Sequence, residues 1–261
     1  MSDILDKLAD HARERVKTAS EKMPLSEIKE KALSLPRGMF EFENALKKDG
    51  LSFICECKKA SPSKGIIAED FPYLDIAKAY ETAGADCISV LTEPKWFLGS
   101  DEYLREIAST VPTPCIRKDF TVSDYMVYEA KILGAKAVLL ICAILNDREL
   151  TDYIKICDEL GLSALVEAHD GEEIKRALNA GARIVGVNNR NLKDFSVDIS
   201  NAGKLRDMVP DNVIYVSESG IKDKYDIKNA YDSGADAVLI GETLMRAADK
   251  KQMLDELKSL L

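Results

Sequence analysis

Four segments of this chain are variants of one unit: Ala83-Gly-Ala-Asp-Cys-Ile-Ser-Val-Leu91, Leu133-Gly-Ala-Lys-Ala-Val-Leu-Leu-Ile141, Ala180-Gly-Ala-Arg-Ile-Val-Gly-Val187 and Ser233-Gly-Ala-Asp-Ala-Val-Leu-Ile240. In each, a helical stretch leads into Gly-Ala, one polar residue and an apolar strand. A glycine just past a helix takes the left-handed conformation without a Cβ penalty, so the chain turns at once into the strand. Between these units fall four apolar runs that end abruptly in charge: Leu51 to Lys58, Pro114 to Lys118, Leu162 to Glu167 and Val213 to Glu218. A surface strand alternates polar and apolar residues, whereas a parallel strand covered on both faces reads as a continuous apolar run. That makes eight strands, each followed by a helical stretch such as Tyr73 to Thr82 or Asp147 to Leu160. Eight such units in about 200 residues predict an α/β fold closed into a (β/α)8 TIM barrel rather than an open sheet.

The barrel is expected to occupy residues 49–261. Residues 1–48 precede the first strand and read as an N-terminal helical extension, with Ile4, Leu5 and Leu8 apolar and His11, Arg13 and Arg15 polar. This extension is expected to pack across the barrel bottom or over its mouth, within one domain overall. With 46% hydrophobic residues, 261 residues can bury a sizeable core without disulfides or metal. A net charge of −9 argues against general affinity for nucleic acid or for an anionic membrane. It leaves room for a phosphorylated ligand, because phosphate sites use backbone N–H groups and local cations. No apolar run approaches the roughly 20 residues of a membrane span, and the N-terminus lacks the apolar core of a signal peptide. Cys55, Cys57, Cys115 and Cys142 fall in expected strands and Cys87 at the start of another. Reduced core cysteines of this kind point to a cytoplasmic protein.

The charge-tipped strands are the first, third, fifth and seventh, and alternate strands of a barrel contribute to the same interior layer. Glu56, Lys118, Glu167 and Glu218 are therefore expected to converge at the C-terminal mouth. The period of two puts Lys58 on the face of Glu56 and turns Cys55 and Cys57 away. A Cys-x-Cys pair facing the helices, with no second ligand cluster, is a poor metal site, so no metal is expected. Glu56 and Lys58 read as a pair at a strand end, and the loop through Ser61 to Gly65 supplies backbone donors for an anion. Buried, unpaired charge is costly, and a mouth lined with both signs points to a polar ligand. Lys118 reads as a general acid, as a Schiff-base amine, or as a cation neutralising Glu56 or Glu167. Phe120 reads either as an apolar wall for a substrate ring or as core. Glu167 is a candidate base or charge stabiliser. His169, past the strand end, reads as a solvated loop residue, and His11 has no chemical role in this reading. With only two histidines, proton transfer falls to Glu and Lys.

The sixth strand ends in Asn188 and Arg190, where an inward amide can orient a hydroxyl or a carboxylate or else cap the loop. Glu218-Ser-Gly-Ile221 and Ile240-Gly-Glu-Thr243 end strands seven and eight. Loops after these two strands commonly hold phosphate, and Gly220 and Gly241 let backbone approach it.

Taken in order, these motifs resemble the indole-3-glycerol phosphate synthase family over nearly the whole chain. The resemblance is carried by the helix Ile4-Leu-Asp-Lys-Leu with Arg13-Glu-Arg-Val16, by Glu56-Cys-Lys-Lys-Ala-Ser-Pro-Ser-Lys-Gly65, by Leu91-Thr-Glu-Pro-Lys-Trp-Phe-Leu-Gly-Ser100 and by Arg117-Lys-Asp-Phe120. It continues through Leu165-Val-Glu167, Val187-Asn-Asn-Arg190, Glu218-Ser-Gly-Ile221 and Gly241-Glu-Thr-Leu-Met245. Trp96 stands where the family pattern leads one to expect Phe or Tyr.

The resemblance implies closure of an indole ring on 1-(2-carboxyphenylamino)-1-deoxyribulose 5-phosphate, with loss of CO2 and water, in tryptophan biosynthesis. It implies Lys118 as general acid at the substrate ketone and Glu167 as stabiliser of the iminium charge or proton carrier. Lys58 and Glu56 become acid and base of the dehydration. Asn188, Glu218 and Ser219 contact the substrate carboxylate or hydroxyls, while Phe120 and Arg190 complete the substrate site. Ser61, Gly220, Gly241 and the backbone of Glu242 hold the phosphate, with the Glu242 carboxylate turned away. No cofactor is implied, the chain shows no dinucleotide fingerprint, and partners from the tryptophan pathway would be separate chains. A phosphosugar isomerase, a Schiff-base aldolase and a non-catalytic phospho-ligand barrel are the alternatives, the last disfavoured because binding alone would not place two carboxylates before an anionic ligand.

Overall fold

The computed structural model describes residues 4–191 and 196–261. Eight parallel strands close a barrel: β1 (Ser52–Cys57), β2 (Cys87–Leu91), β3 (Cys115–Lys118), β4 (Ala137–Ile141), β5 (Ser163–Ala168), β6 (Ile184–Asn188), β7 (Ile214–Glu218) and β8 (Ala237–Ile240), with β8 pairing back onto β1. The described helices before and around it are α1 (Ile4–Lys22), α2 (Leu25–Ser34), α3 (Glu41–Leu46), α4 (Tyr73–Thr82), α5 (Asp101–Thr110), α6 (Asp124–Ile132), α7 (Asp147–Leu160), α8 (Gly171–Asn179), α9 (Ser200–Leu205), α10 (Lys224–Asp232), α11 (Glu242–Arg246) and α12 (Lys250–Lys258). The four repeat glycines Gly84, Gly134, Gly181 and Gly234 all have φ between +76° and +92°, the left-handed turn that the repeat predicts.

The polar residue of each repeat has a structural task at the barrel bottom. Asp86 and Asp236 accept hydrogen bonds from the second amides of the neighbouring strands, at Phe53 N and Tyr215 N. Lys136 and Arg183 instead reach Glu41 and Glu43 of α3. That helix plugs the bottom with Phe42 and Leu46, which pack against the interior side chains Ile54 and Cys87.

Strand alternation separates two apolar layers. Ile54, Ile116, Leu139, Leu165, Ile184, Val216 and Leu239 fill the barrel interior. Phe53, Cys55, Cys57, Val90, Val138, Val166, Val185, Tyr215 and Val238 face the helices. Each such buried aliphatic side chain contributes roughly 1.5–3 kcal/mol. The six cysteines are free and buried, and burial pushes the Cys55, Cys115 and Cys142 thiols up to about 12, so they behave as small apolar side chains. Cys142 does not lie in a strand: β4 ends at Ile141 and the chain turns into a 3-10 helix, Cys142–Ile144.

The extension covers both ends of the barrel. Helix α1 lays Leu5, Leu8 and Ala12 into the interior layer beside Phe120, Phe97 and Trp96, over the mouth, while α3 closes the bottom. Helix α2 packs along α6 on the outer ring. Among the described residues, no helix is long and apolar enough to cross a membrane.

Candidate active site

Every residue expected at the mouth lines one cavity of about 570 Å³: Glu56, Lys58, Ser61, Lys118, Phe120, Glu167, Asn188, Arg190, Glu218, Ser219, Gly220, Gly241 and Glu242. Ile4, Leu5 and Leu8 of α1 with Phe97 and Phe120 supply apolar lining, and the turns after β7 and β8 supply polar lining. That volume falls in the range of small-molecule sites.

Two charge clusters meet there. Lys118 Nζ lies 3.6 Å from Glu218 Oε2 and 3.9 Å from Glu167 Oε2. Lys58 Nζ lies 2.5 Å from Glu56 Oε1, and Ser89 donates to the other oxygen of Glu56 at 3.4 Å. Burial alone would lower the Lys118 ammonium, yet the Glu218, Glu167 and Glu56 carboxylates outweigh it and hold the lysine well above its ordinary range. A lysine held charged carries the proton that a general acid needs and that a Schiff-base amine must first lose. Burial would also raise Glu56, but the Lys58 and Lys118 charges reverse that and keep it below the ordinary carboxylate range.

Glu218 goes the other way and is pushed up to about 8, because burial and repulsion from Glu167 and Glu56 exceed the attraction of Lys118. Its Oε1 is buried with no hydrogen-bond partner. A carboxyl so placed carries a proton near neutrality, and the fourth charge of the cluster is thereby avoided.

Two glycines make room for these carboxylates. A Cβ at Gly186, on β6, would lie inside van der Waals contact with Glu218 Oε1. One at Gly241 would do the same to Glu56 Oε1 and would sit 2.7 Å from Lys58 Nζ. At Gly241, φ is −114°, and the space its missing side chain leaves is taken by the Glu56–Lys58 pair. The turn after β7 does carry unusual backbone. Ser219 has φ +67° and Gly220 φ +91°, two left-handed residues in succession, and Asn189 Nδ2 donates to the Ser219 carbonyl at 3.1 Å.

Other expected residues have partners of their own. Asn188 Oδ1 accepts from Arg190 N at 3.0 Å, so part of its capacity caps the loop. Arg190 Nη1 lies 3.5 Å from Ser63 Oγ across the mouth. The loop after β1 folds into a small antiparallel pair, Ala60–Ser61 with Gly65–Ile66, and carries Lys64 to 3.6 Å from Glu242. The Glu242 carboxylate also pairs with Arg246 Nε at 3.1 Å, and both residues line the cavity.

Several structural supports escape sequence reading. Asp119 is buried beside Lys118 and accepts from Arg15 at 2.6 Å and 3.0 Å and from Thr92 Oγ1 at 2.6 Å. Burial would raise Asp119, and the Arg15 and Arg117 charges hold it below its ordinary range. Glu93, equally buried, accepts from the amides of Lys95, Trp96 and Phe97 and lies 3.1 Å from His11 Nδ1. His11 thus anchors α1, with Trp96 edge-on to its ring at 5.3 Å. His169 is not a solvated loop residue: it is only 20% exposed, and its Nε2 lies 3.5 Å from Glu167 Oε1. It follows β5 by one residue, so alternation turns it to the same side as Glu167. Among the described residues, no group of three or more His, Cys, Asp and Glu could hold a metal ion.

The family model for indole-3-glycerol phosphate synthase matches residues 5–257. The chain belongs to this family. It is 56% identical over 256 residues to the indole-3-glycerol phosphate synthase of Ruminiclostridium cellulolyticum, covering 98% of each chain. It is 50% identical over 270 residues to that of Lachnoclostridium phytofermentans, covering 99% of this chain and 100% of the relative. Similarity to solved structures at low identity extends the barrel beyond the synthases. The 3-hexulose-6-phosphate synthase of Salmonella typhimurium superposes with a TM-score of 0.67 at 14% identity, over 81% of this chain and 98% of that one. The thiamine phosphate pyrophosphorylase of Pyrococcus furiosus gives 0.61 at 18% identity, over 84% and 96%. These two share the fold alone, whereas the synthases share the sequence from end to end.

Proposed function

We propose that the mouth cluster carries out the ring closure of indole-3-glycerol phosphate synthases on 1-(2-carboxyphenylamino)-1-deoxyribulose 5-phosphate. The observation that supports this division of labour is the placement of Lys118 between Glu167 and Glu218, with a separate Glu56–Lys58 pair in the same cavity. The apolar wall of Leu5, Leu8, Phe97 and Phe120 takes the carboxyphenyl ring. The backbone of Gly220, Gly241 and Glu242, with Ser61, takes the phosphate, so the substrate spans the mouth and its ketone falls near Lys118.

Lys118, held charged by the carboxylates around it, donates a proton to the ketone oxygen as the ring carbon attacks. The new C–C bond leaves positive charge on the ring nitrogen, which the Glu167 carboxylate stabilises until the carboxyl carbon leaves as CO2 and its electron pair restores the ring. Lys58 then protonates the departing hydroxyl and Glu56 removes the proton whose loss completes the indole, with Asn188, Glu218, Ser219 and Arg190 orienting hydroxyls and carboxylate. Proton transfer and charge stabilisation suffice for all three steps, and none of them calls for a hydride carrier or a metal.

On this reading residues 1–48 serve the barrel as one domain with it, closing the apolar side of the mouth. The phosphorylated substrate is the partner proposed. A cytoplasmic setting fits the buried, free cysteines. The decisive experiment mixes EDTA-treated protein with the substrate and follows indole fluorescence together with CO2 release. Both are expected to rise; folded protein that yields neither would overturn the reading, and inhibition by EDTA reversed by added metal would overturn its metal-free form.

A further inference from the structure

Glu167 has a nitrogen neighbour at each oxygen. Oε2 faces Lys118 Nζ at 3.9 Å, and Oε1 faces His169 Nε2 at 3.5 Å. The imidazole is oriented from its far side. Glu173, one helical turn into α8, accepts from the His169 amide at 2.8 Å with Oε2 and places the same oxygen 3.2 Å from Nδ1. The Asp170 carboxylate caps α8 by accepting from Glu172 N and Glu173 N, which fixes the turn that presents Glu173. His169 Nε2 is buried and makes no hydrogen bond other than what Glu167 can offer. A buried ring nitrogen with a single carboxylate in front of it is costly unless that carboxylate completes it.

We propose that His169 is a positioning residue for the ring closure: anchored at Nδ1 by Glu173, it uses Nε2–H to hold Glu167 Oε1 and leaves Oε2 turned to the substrate. The proposal rests on the reading of Glu167 as a group that acts at the substrate. Both ring nitrogens then donate, which requires the imidazolium. Burial lowers the imidazole, but the Glu173 bond and the Glu167 and Glu173 charges outweigh it and set His169 above its ordinary value of 6.5. The other charged groups facing the ring are Glu218 on β7 and, beyond Glu167, Lys118 on β3. From α9, Asn201 donates to the His169 carbonyl at 3.3 Å. The arrangement gives Glu167 two directional contacts from opposite sides, which an ion pair with a flexible lysine alone would not provide.

The chain has two histidines, so their imidazole NMR signals can be followed in the full-length protein, with His11→Gln assigning which is which. In the substrate-free protein, His169 is expected to titrate above the ordinary histidine range and to fall by about one pH unit in Glu167→Gln. An unchanged His169 titration in Glu167→Gln would overturn the coupling. In turnover, His169→Asn retains a group at the Nδ1 position but falls short of Glu167, and is expected to lose about tenfold in kcat with KM within about twofold. His169→Gln places an amide donor where Nε2 stood and is expected to recover most of that loss. Wild-type kcat in His169→Asn, equal losses in Asn and Gln, or a loss confined to KM would each overturn the positioning role. If either variant does not fold, Glu173→Gln removes the anchor from outside the cavity and is expected to lower kcat in smaller degree; wild-type kcat there would count against the proposal. Full turnover in Glu167→Gln would instead refute the role of Glu167 itself, and the NMR coupling, measured without substrate, separates that failure from the first.

Discussion

Arg15 Nη2 lies 2.6 Å from Asp119 Oδ1 and Nη1 lies 3.0 Å from Oδ2, a two-pronged bond between the helix over the mouth and the residue after Lys118. The two residues are 104 positions apart. Asp119 also accepts from Thr92 and from its neighbour Phe120 N, so the strand end and the covering helix share one buried carboxylate. Planar, forked guanidinium geometry suits this better than a lysine would.

Removal of that fork tests whether α1 shapes the mouth. Arg15→Met leaves Asp119 buried with one cation fewer and is expected to cost about 1–3 kcal/mol. In a chain of this size that lowers Tm by roughly 2–10 °C, read by calorimetry. Because Leu5 and Leu8 line the cavity, KM should rise more than kcat falls. Arg15→Lys should be intermediate. A wild-type Tm and KM in Arg15→Met would show that the apolar stripe alone holds the helix.

Glu218 supplies a pH dependence with a definite sign. Its ordinary value is 4.5 and the fold pushes it up to about 8, so between these values the folded chain holds a proton that the unfolded chain has released. The folded state therefore loses stability from this group as pH rises through that window. Glu218→Gln removes the effect: its Tm should fall less than the wild type's between pH 5 and pH 8, while kcat drops. Parallel Tm curves for the two proteins would show that Glu218 is ionised throughout.

The glycines beside the carboxylates predict losses of activity that backbone strain does not explain. Gly186→Ala would press a methyl group onto Glu218 Oε1, and Gly241→Ala onto the Glu56–Lys58 pair. Both are expected to lower kcat by about tenfold or more while the far-ultraviolet spectrum stays native, since misplacement of a catalytic group by about 1 Å is that costly. Gly241→Asp should act on kcat through Glu56 as well as on KM through the phosphate. A change confined to KM in Gly241→Ala would place the Cβ against the phosphate rather than against Glu56.

Lys118→Ala removes both the proton donor and the cation shared by Glu56, Glu167 and Glu218. Turnover should fall about a hundredfold or more, the scale of one general acid. A companion measurement is Tm, expected to drop at high pH where the remaining carboxylates repel. Near-normal kcat would take Lys118 out of the mechanism.

Much of the barrel was legible along the chain, because its causes are local. A glycine after each helix, a doubly buried strand and an alternating side-chain direction are properties of a few consecutive residues, and they place Glu56, Lys118, Glu167 and Glu218 in one mouth. The same alternation would have assigned His169 to the inward face had β5 been carried one residue further. Other features arise only where distant segments meet. Helix α1 has an apolar stripe, but its choice of the mouth depends on Asp119 and Glu93 at two strand ends, and α3's choice of the bottom on Lys136 and Arg183. Gly186 and Gly241 look like ordinary small residues until the neighbouring strands bring Glu218 and Glu56 against them. Residue types and strand order thus determined which groups face one another; tertiary packing decided their spacing, hence which carboxylates are ionised, since burial and Coulomb interaction depend on distances that no local pattern encodes.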